Sequence, residues 1–268
     1  MRTKLIDRVK KNYDFFLPFR QYGPSLNNAR NQIYSDARLM LNDGVGFFNI
    51  LAFRGVFFGS PFAQSSQFRW FESIQDWESF RKAELENVLS VYPDEEAYYV
   101  KKNCYGSPQK ERSVKLLSRY WDERHSWSLK FNETEQVMPT MESCYNFLMS
   151  KNDGISKFYN IGPLTALLIC GDLVEAGVIP MPSSYDLGQL IYKIGRGAKD
   201  GIIILGLVNG DVTCEDFSNA FSSLDTFITS SLDSEVKKAC GYSVVMLEHT
   251  LCKIKRLTTA KQSIDNFL

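Results

Sequence analysis

Apolar residues recur at helical spacing along most of the chain. Between residues 69 and 92, Trp70, Phe71, Ile74, Trp77, Phe80, Leu85, Val88 and Leu89 alternate with acids and bases, the pattern of an amphipathic helix packed on a core, and Pro93 ends it. Residues 111–121 repeat the pattern. Segments 141–150 and 163–176 predict two more helices, and 216–228 and 236–255 the last two, with Asp211 or Thr213 as a cap for 216–228. The apolar run 202–208 has the composition of a buried strand or a buried helix. Pro, Gly and Ser collect at 59–67 and 179–184, which read as loops between helices. With no internal repeat or low-complexity linker, a single domain over 1–268 is expected.

The stretch from 158 to 194 organises the rest. Within it, Gly162-Pro163 precedes a small and apolar run, which is how a helix starts: Pro suits the first turn and Gly permits a close backbone approach. Outward-facing amides at such an end can receive an anion. With the segment at 140–149 it would form a helix-hairpin-helix over about 141–176, in which Asn160, Gly162 and Thr165 are candidates to grip a DNA phosphate. Plain helix punctuation is the alternative.

At 268 residues and 44% hydrophobic content the chain can bury a sizeable core, and no segment reaches transmembrane length. Residues 1–7 lack the apolar run of a secretory signal, and six scattered cysteines fit free thiols in a reducing cytoplasm. There is no C-x-x-C pair, and His125 and His249 are the only histidines, so no conventional zinc site and no cofactor are expected. Formal net charge is zero but unevenly placed: residues 1–60 carry nine Lys/Arg against four Asp/Glu, and 98–130 carry eight against three. In the second zone Lys101, Lys102, Lys110, Arg112, Lys115, Arg119 and Arg124 interleave with tyrosines and tryptophans, the chemistry of a phosphate-tracking face or of a solvated helix face with its aromatics turned inward.

Motifs of the commoner enzyme classes are absent: no G-x-x-x-x-G-K-[ST], G-x-S-x-G, H-E-x-x-H or dinucleotide fingerprint occurs. Gly195-x-Gly197-x-Lys199 with Arg196 reads as a phosphate cradle or as a surface turn. Asn49 and Arg54 resemble an Asn-hydrophobic-x-Arg element of the family that the segments below also resemble, which implies an amide and a guanidinium together to read a base edge or phosphate; the alternative pairs Arg54 with an internal acid.

Gly162-Pro163, the helix ending Asp172-Leu173, the segment Gly195-Arg196-Gly197-Ala198-Lys199-Asp200-Gly201 and the segment Glu248-His249-Thr250-Leu251-Cys252, taken in this order, resemble a family of phage thymine-hypermodification proteins. It holds the α-glutamyl/putrescinyl-thymine pyrophosphorylases, or amino acid:DNA transferases, and the helical domain attached to 5-hydroxymethyluracil DNA kinases. Arg196 stands where that family has Pro, Asp200 where it has a second basic residue, and Lys253 and Lys255 where it has acids. The resemblance implies an all-α, DNA-glycosylase-like helical fold, and with it a helix at 202–208. It implies double-stranded DNA carrying 5-(diphosphooxymethyl)uracil as substrate, in the cytoplasm of an infected host cell, with the diphosphate replaced by the amine of an amino acid or polyamine. A 5-hydroxymethyluracil DNA kinase is an implied partner, and no membrane is involved.

On this reading Arg196 and Lys199 hold the diphosphate, Asp172 or Asp186 binds the incoming ammonium or takes its proton, and Glu248 with His249 forms an acid/base pair. Cys252, or Cys170 in its place, is the candidate nucleophile at pyrimidine C6. Two alternatives stay open: a helix-hairpin-helix glycosylase using Asp186 or Asp172, and a non-catalytic DNA-binding partner of a kinase.

Overall fold

A computed structural model describes residues 24–33, 41, 43–87, 90, 95–99, 115–131, 138–195, 197–209, 211–239 and 242–259. Over these residues the chain is mostly helical, with one two-stranded ribbon among them. It divides into two compact units, residues 21–181 and a unit that takes in the chain from Pro182. The boundary falls in the loop 179–184, whose composition does not set it apart from an ordinary connection.

The unit spanning 21–181 is built on aromatic side chains. Its helices are α1 (Pro24–Ile33), α2 (Val45–Ala52), α3 (Pro61–Gln64), α4 (Ile74–Glu86), α5 (Lys115–Asp122), α6 (Ser126–Phe131), α7 (Met141–Leu148) and α8 (Pro163–Glu175). A π-helical turn, Phe53–Phe57, extends α2. Phe57, Phe62, Phe71, Trp77, Phe80 and Tyr98 meet in one cluster, edge-on or tilted except for the stacked pair Phe62–Phe71, and Phe47, Trp127, Phe131, Phe147 and Phe158 form another. Of the predicted apolar stripe, Phe71, Ile74 and Trp77 are core, Trp70 and Phe80 are half-buried and Leu85 is exposed, while the helix ends at Glu86. Its helix starts at Ile74 rather than at 69, because the Ser73 hydroxyl accepts from the Asp76 N–H at 3.0 Å and so fixes the first turn. Trp70 and Phe71 lie in the lead-in, outside the helix.

Between α7 and α8 the chain makes a ribbon of β1 (Lys151–Asn152) and β2 (Ile155–Ser156), paired antiparallel. Asp153 and Gly154 both have positive φ (51° and 80°), as a type I′ turn requires. The helices at 141–150 and 163–176 form nearly as predicted and pack on each other, joined by this ribbon and by a turn at Asn160 (φ 62°).

The second unit holds α9 (Ser184–Ile194), α10 (Gly197–Ile204), α11 (Cys214–Ser231), α12 (Ser234–Ala239) and α13 (Val244–Thr259). Helix α9 packs on α11 and α10 on α13. Residues 202–204 are helical, and the chain turns after Ile204. Thr213 caps α11 in a full capping box with Asp216. The helix predicted over 236–255 is two helices instead. Asp233 accepts from the Val236 N–H at 2.8 Å to start α12, and the Tyr242 N–H donates back to the Lys237 carbonyl, a 6→1 bond of the kind that closes a helix.

Candidate functional site

In the 21–181 unit, the tertiary fold commits Asn49, Arg54 and Asp172 to one another's neighbourhood or to the backbone. The Arg54 guanidinium donates to both Asp172 carboxylate oxygens, Nε and Nη2 each at 2.5 Å, and both side chains are 1% exposed. Its flat face lies 4.3 Å from the Phe58 ring. Asn49 donates from Nδ2 to the carbonyls of Val45 and Phe71 and accepts from the Phe71 N–H. The expectation that Asn49 and Arg54 read a base edge or phosphate is corrected here. Both Asn49 donors are spent on carbonyls, and Arg54 takes the internal acid as its partner. Asp172 is likewise an ion-pair partner inside the unit, not a carboxylate presented to an incoming amine.

One turn further along α8, Glu175 accepts from Arg30 of α1. Burial raises the Glu175 carboxyl above the usual carboxylate range, against the lowering pull of Arg30.

Cys170 and Cys144 lie in the core of the same unit. Burial pushes the Cys144 thiol up to about 12, and burial raises Cys170 well above its ordinary value, with Cys144 and Asp172 adding to the rise. Neither is a thiolate at neutral pH, so Cys170 is removed as a nucleophile. Iodoacetamide applied to the native protein is expected to leave Cys144 and Cys170 unmodified while alkylating the part-exposed Cys252, and all three should react after unfolding; peptide mass mapping reads this out.

The DNA-facing candidates are placed as follows. Gly162 caps α8 without a side-chain hydrogen bond, and Pro163 follows at N1, so the Leu164 and Thr165 amides have no partner within the helix. The Thr165 side chain is buried and Asn160 forms the preceding turn. Arg119 is exposed on α5 with its guanidinium 4.7 Å from the Tyr159 ring. Lys101, Lys102, Arg112 and Arg196 lie outside the described residues, as does the side chain of Lys115.

In the second unit three predicted residues come together on α13. Cys252 Sγ donates to Glu248 Oε1 at 2.8 Å, and His249 Nδ1 lies 2.9 Å from Glu248 Oε2, an ion-pair distance once the ring is protonated. The i, i+4 spacing stacks Cys252 on Glu248. The Glu248 and His249 side chains are 6% and 9% exposed, while Cys252 is part-exposed. A thiol, a carboxylate in hydrogen-bond reach and an imidazole beside the carboxylate's other oxygen thus meet within about one turn of α13.

Helix α10 brings its first turn to this thiol. A Cβ added at Gly197 would lie 2.4 Å from Cys252 Sγ, so the glycine lets the thiol lie against the first turn of α10 without turning aside. Gly201, one turn on, does the same against α13: its added Cβ would stand 2.4 Å from the Leu251 carbonyl oxygen. These glycines are a helix-contact pair, a role that the Gly-x-Gly reading missed and that their i, i+4 spacing signals. Lys199 sits about 200° around α10 from Gly197. Its ammonium lies 4.4 Å from the Tyr192 ring of α9, so the structure does not bring Lys199 to the thiol. Asp186 is exposed and caps α9 with Ser183, whose hydroxyl is 2.6 Å from its carboxylate, so the acid expected to serve catalysis closes a helix end. The Ser-x-x-Asp spacing was the signal for this.

Among the described residues no group of three His, Cys, Asp or Glu side chains is placed to hold a metal ion, and no helix is long and apolar enough to cross a membrane. No family model, no curated protein and no solved structure matches this chain.

Proposed function

We propose that the protein is a DNA-modifying transferase that replaces the diphosphate of 5-(diphosphooxymethyl)uracil by an amine. The observation that carries this reading is the Cys252–Glu248–His249 cluster against the first turn of α10. Glu248 takes the thiol proton, and the thiolate adds to pyrimidine C6. The S–C6 bond forms as the C5–methylene oxygen bond breaks, the diphosphate departs with the bonding pair, and an exocyclic methylene remains at C5. The amine of an amino acid or polyamine then bonds to that methylene; the C5–C6 double bond re-forms and expels the thiolate. Glu248 returns its proton to sulfur, and the proton shed by the amine goes to the released diphosphate. No electrons are gained or lost overall.

His249 stands 2.9 Å from the Glu248 oxygen that does not face the thiol, where it positions the carboxylate. In the other unit, α7 and α8 are read as the helix-hairpin-helix that grips duplex DNA in a glycosylase-like fold, the hairpin here being a ribbon.

Nucleoside mass spectrometry tests the reaction. DNA containing 5-(diphosphooxymethyl)uracil is incubated with the protein and a mixture of amino acids and polyamines. A new amine-bearing nucleoside is expected with wild type, and Cys252→Ala should reduce its rate by about 10²-fold or more with the fold intact by circular dichroism. Full activity in Cys252→Ala removes the covalent step. A missing base identifies a glycosylase, and an unchanged nucleoside overturns the transferase reading.

A further inference from the structure

Gly197 and Gly201 both lie against α13, yet what each meets there differs. A Cβ at Gly201 would stand 2.4 Å from the Leu251 carbonyl oxygen and 3.0 Å from its Cα, so this glycine sets how near the two backbones come. A Cβ at Gly197 would stand 2.4 Å from Cys252 Sγ but 3.6 Å from Cys252 Cβ and 3.9 Å from its Cα, and the last two are ordinary contacts. The room that Gly197 leaves is therefore taken by the sulfur. That same sulfur lies 2.8 Å from Glu248 Oε1.

We infer that Gly197 is a positioning residue for the Cys252 thiol, keeping open the place from which Sγ reaches Glu248. A side chain in a helix has two usual χ1 wells, so a thiol crowded out of one turns to another. A methyl at position 197 could instead part the helices. That would lay open Ala198, Ile202 and Leu251, none of them more than 1% exposed, whereas turning one terminal sulfur exposes no core. The thiol gives way and leaves the carboxylate. Proton transfer to Glu248 needs the two atoms in hydrogen-bond reach, so the displaced thiol keeps its proton. The positioning role stands on the thiol geometry alone; its consequence for turnover rests on the transferase reading proposed above.

The test reads the thiol directly in the full chain. The infrared S–H stretching band of Cys252, isolated as the difference between each protein and its Cys252→Ala counterpart, falls in frequency when the thiol donates to a carboxylate. A merely structural glycine would not control this band. Wild type is expected to show the lowered band, and Gly197→Ala and Glu248→Leu to show it raised. With 5-(diphosphooxymethyl)uracil DNA and the amine mixture, Gly197→Ala should form product about 10²-fold more slowly. A Gly197→Ala band that stays at the wild-type position overturns the positioning role, as does a wild-type band no lower than that of Glu248→Leu. Stability gives a second reading. Gly197→Ala should lower the denaturant midpoint less in a Cys252→Ala background than in wild type, because the methyl then meets Cβ at ordinary contact. An equal or larger loss overturns the inference, even where Gly197→Ala by itself does not fold. Wild type that forms no product, beside a Gly197→Ala band that is raised, overturns the transferase reading and leaves the positioning role standing.

Discussion

Asp172→Asn is expected to destabilise the protein by about 3–5 kcal/mol, seen as a lower denaturant midpoint. The substitution keeps volume and shape but removes the charge facing Arg54, whose guanidinium is 1% exposed and donates twice to that carboxylate. A buried guanidinium without a counter-charge pays its desolvation in full. The Phe58 ring 4.3 Å away contributes about 2 kcal/mol and is present in both proteins, so it does not offset the loss. Replacing both partners together, as Arg54→Met with Asp172→Leu, removes the charge as well as its partner and should recover most of the stability. An Asp172→Asn protein that unfolds within about 1 kcal/mol of wild type would show that the pair is not structural, and would return Asp172 to the list of catalytic candidates.

The second large effect belongs to Gly201→Ala, which should cost about 2 kcal/mol in the same measurement. Two terms compete. Alanine gains about 1 kcal/mol over glycine in a helix interior. Against this, its Cβ would stand 2.4 Å from the Leu251 carbonyl oxygen and 3.0 Å from the Leu251 Cα. These are backbone atoms of α13 and cannot rotate aside, so the helices must separate, and overpacking of this kind costs up to about 3 kcal/mol. The steric term wins. Gly197 differs in kind, because its obstacle is the Cys252 side chain, the far end of which can turn.

What was legible in the sequence was local. The apolar period marked the helices at 141–150, 163–176 and 216–228, and of the two caps left open for the last, Asp211 and Thr213, Thr213 is the one that caps it. Ser73 and Ser183 carry the same Ser-x-x-Asp signal, and reading it would have placed the start of α4 and assigned Asp186 to a helix end. The Asp153-Gly154 pair is the local signature of the ribbon turn. The cluster of Glu248, His249 and Cys252 was also legible, since all three lie within one turn of a helix and their meeting needs no other part of the chain.

The sequence by itself thus determined the helices at 141–150 and 163–176 and brought Glu248, His249 and Cys252 to one turn of a helix, because each depends on residues within about four positions of one another. The tertiary structure alone decided which acid holds Arg54, a partner 118 residues away along the chain. It also decided that Gly197 and Gly201 serve a helix contact, since a glycine's meaning depends on what would collide with a side chain there. The same holds for the thiols. Cys170 and Cys252 are alike as letters, and only the fold buries the first fully and leaves the second part-exposed beside a carboxylate.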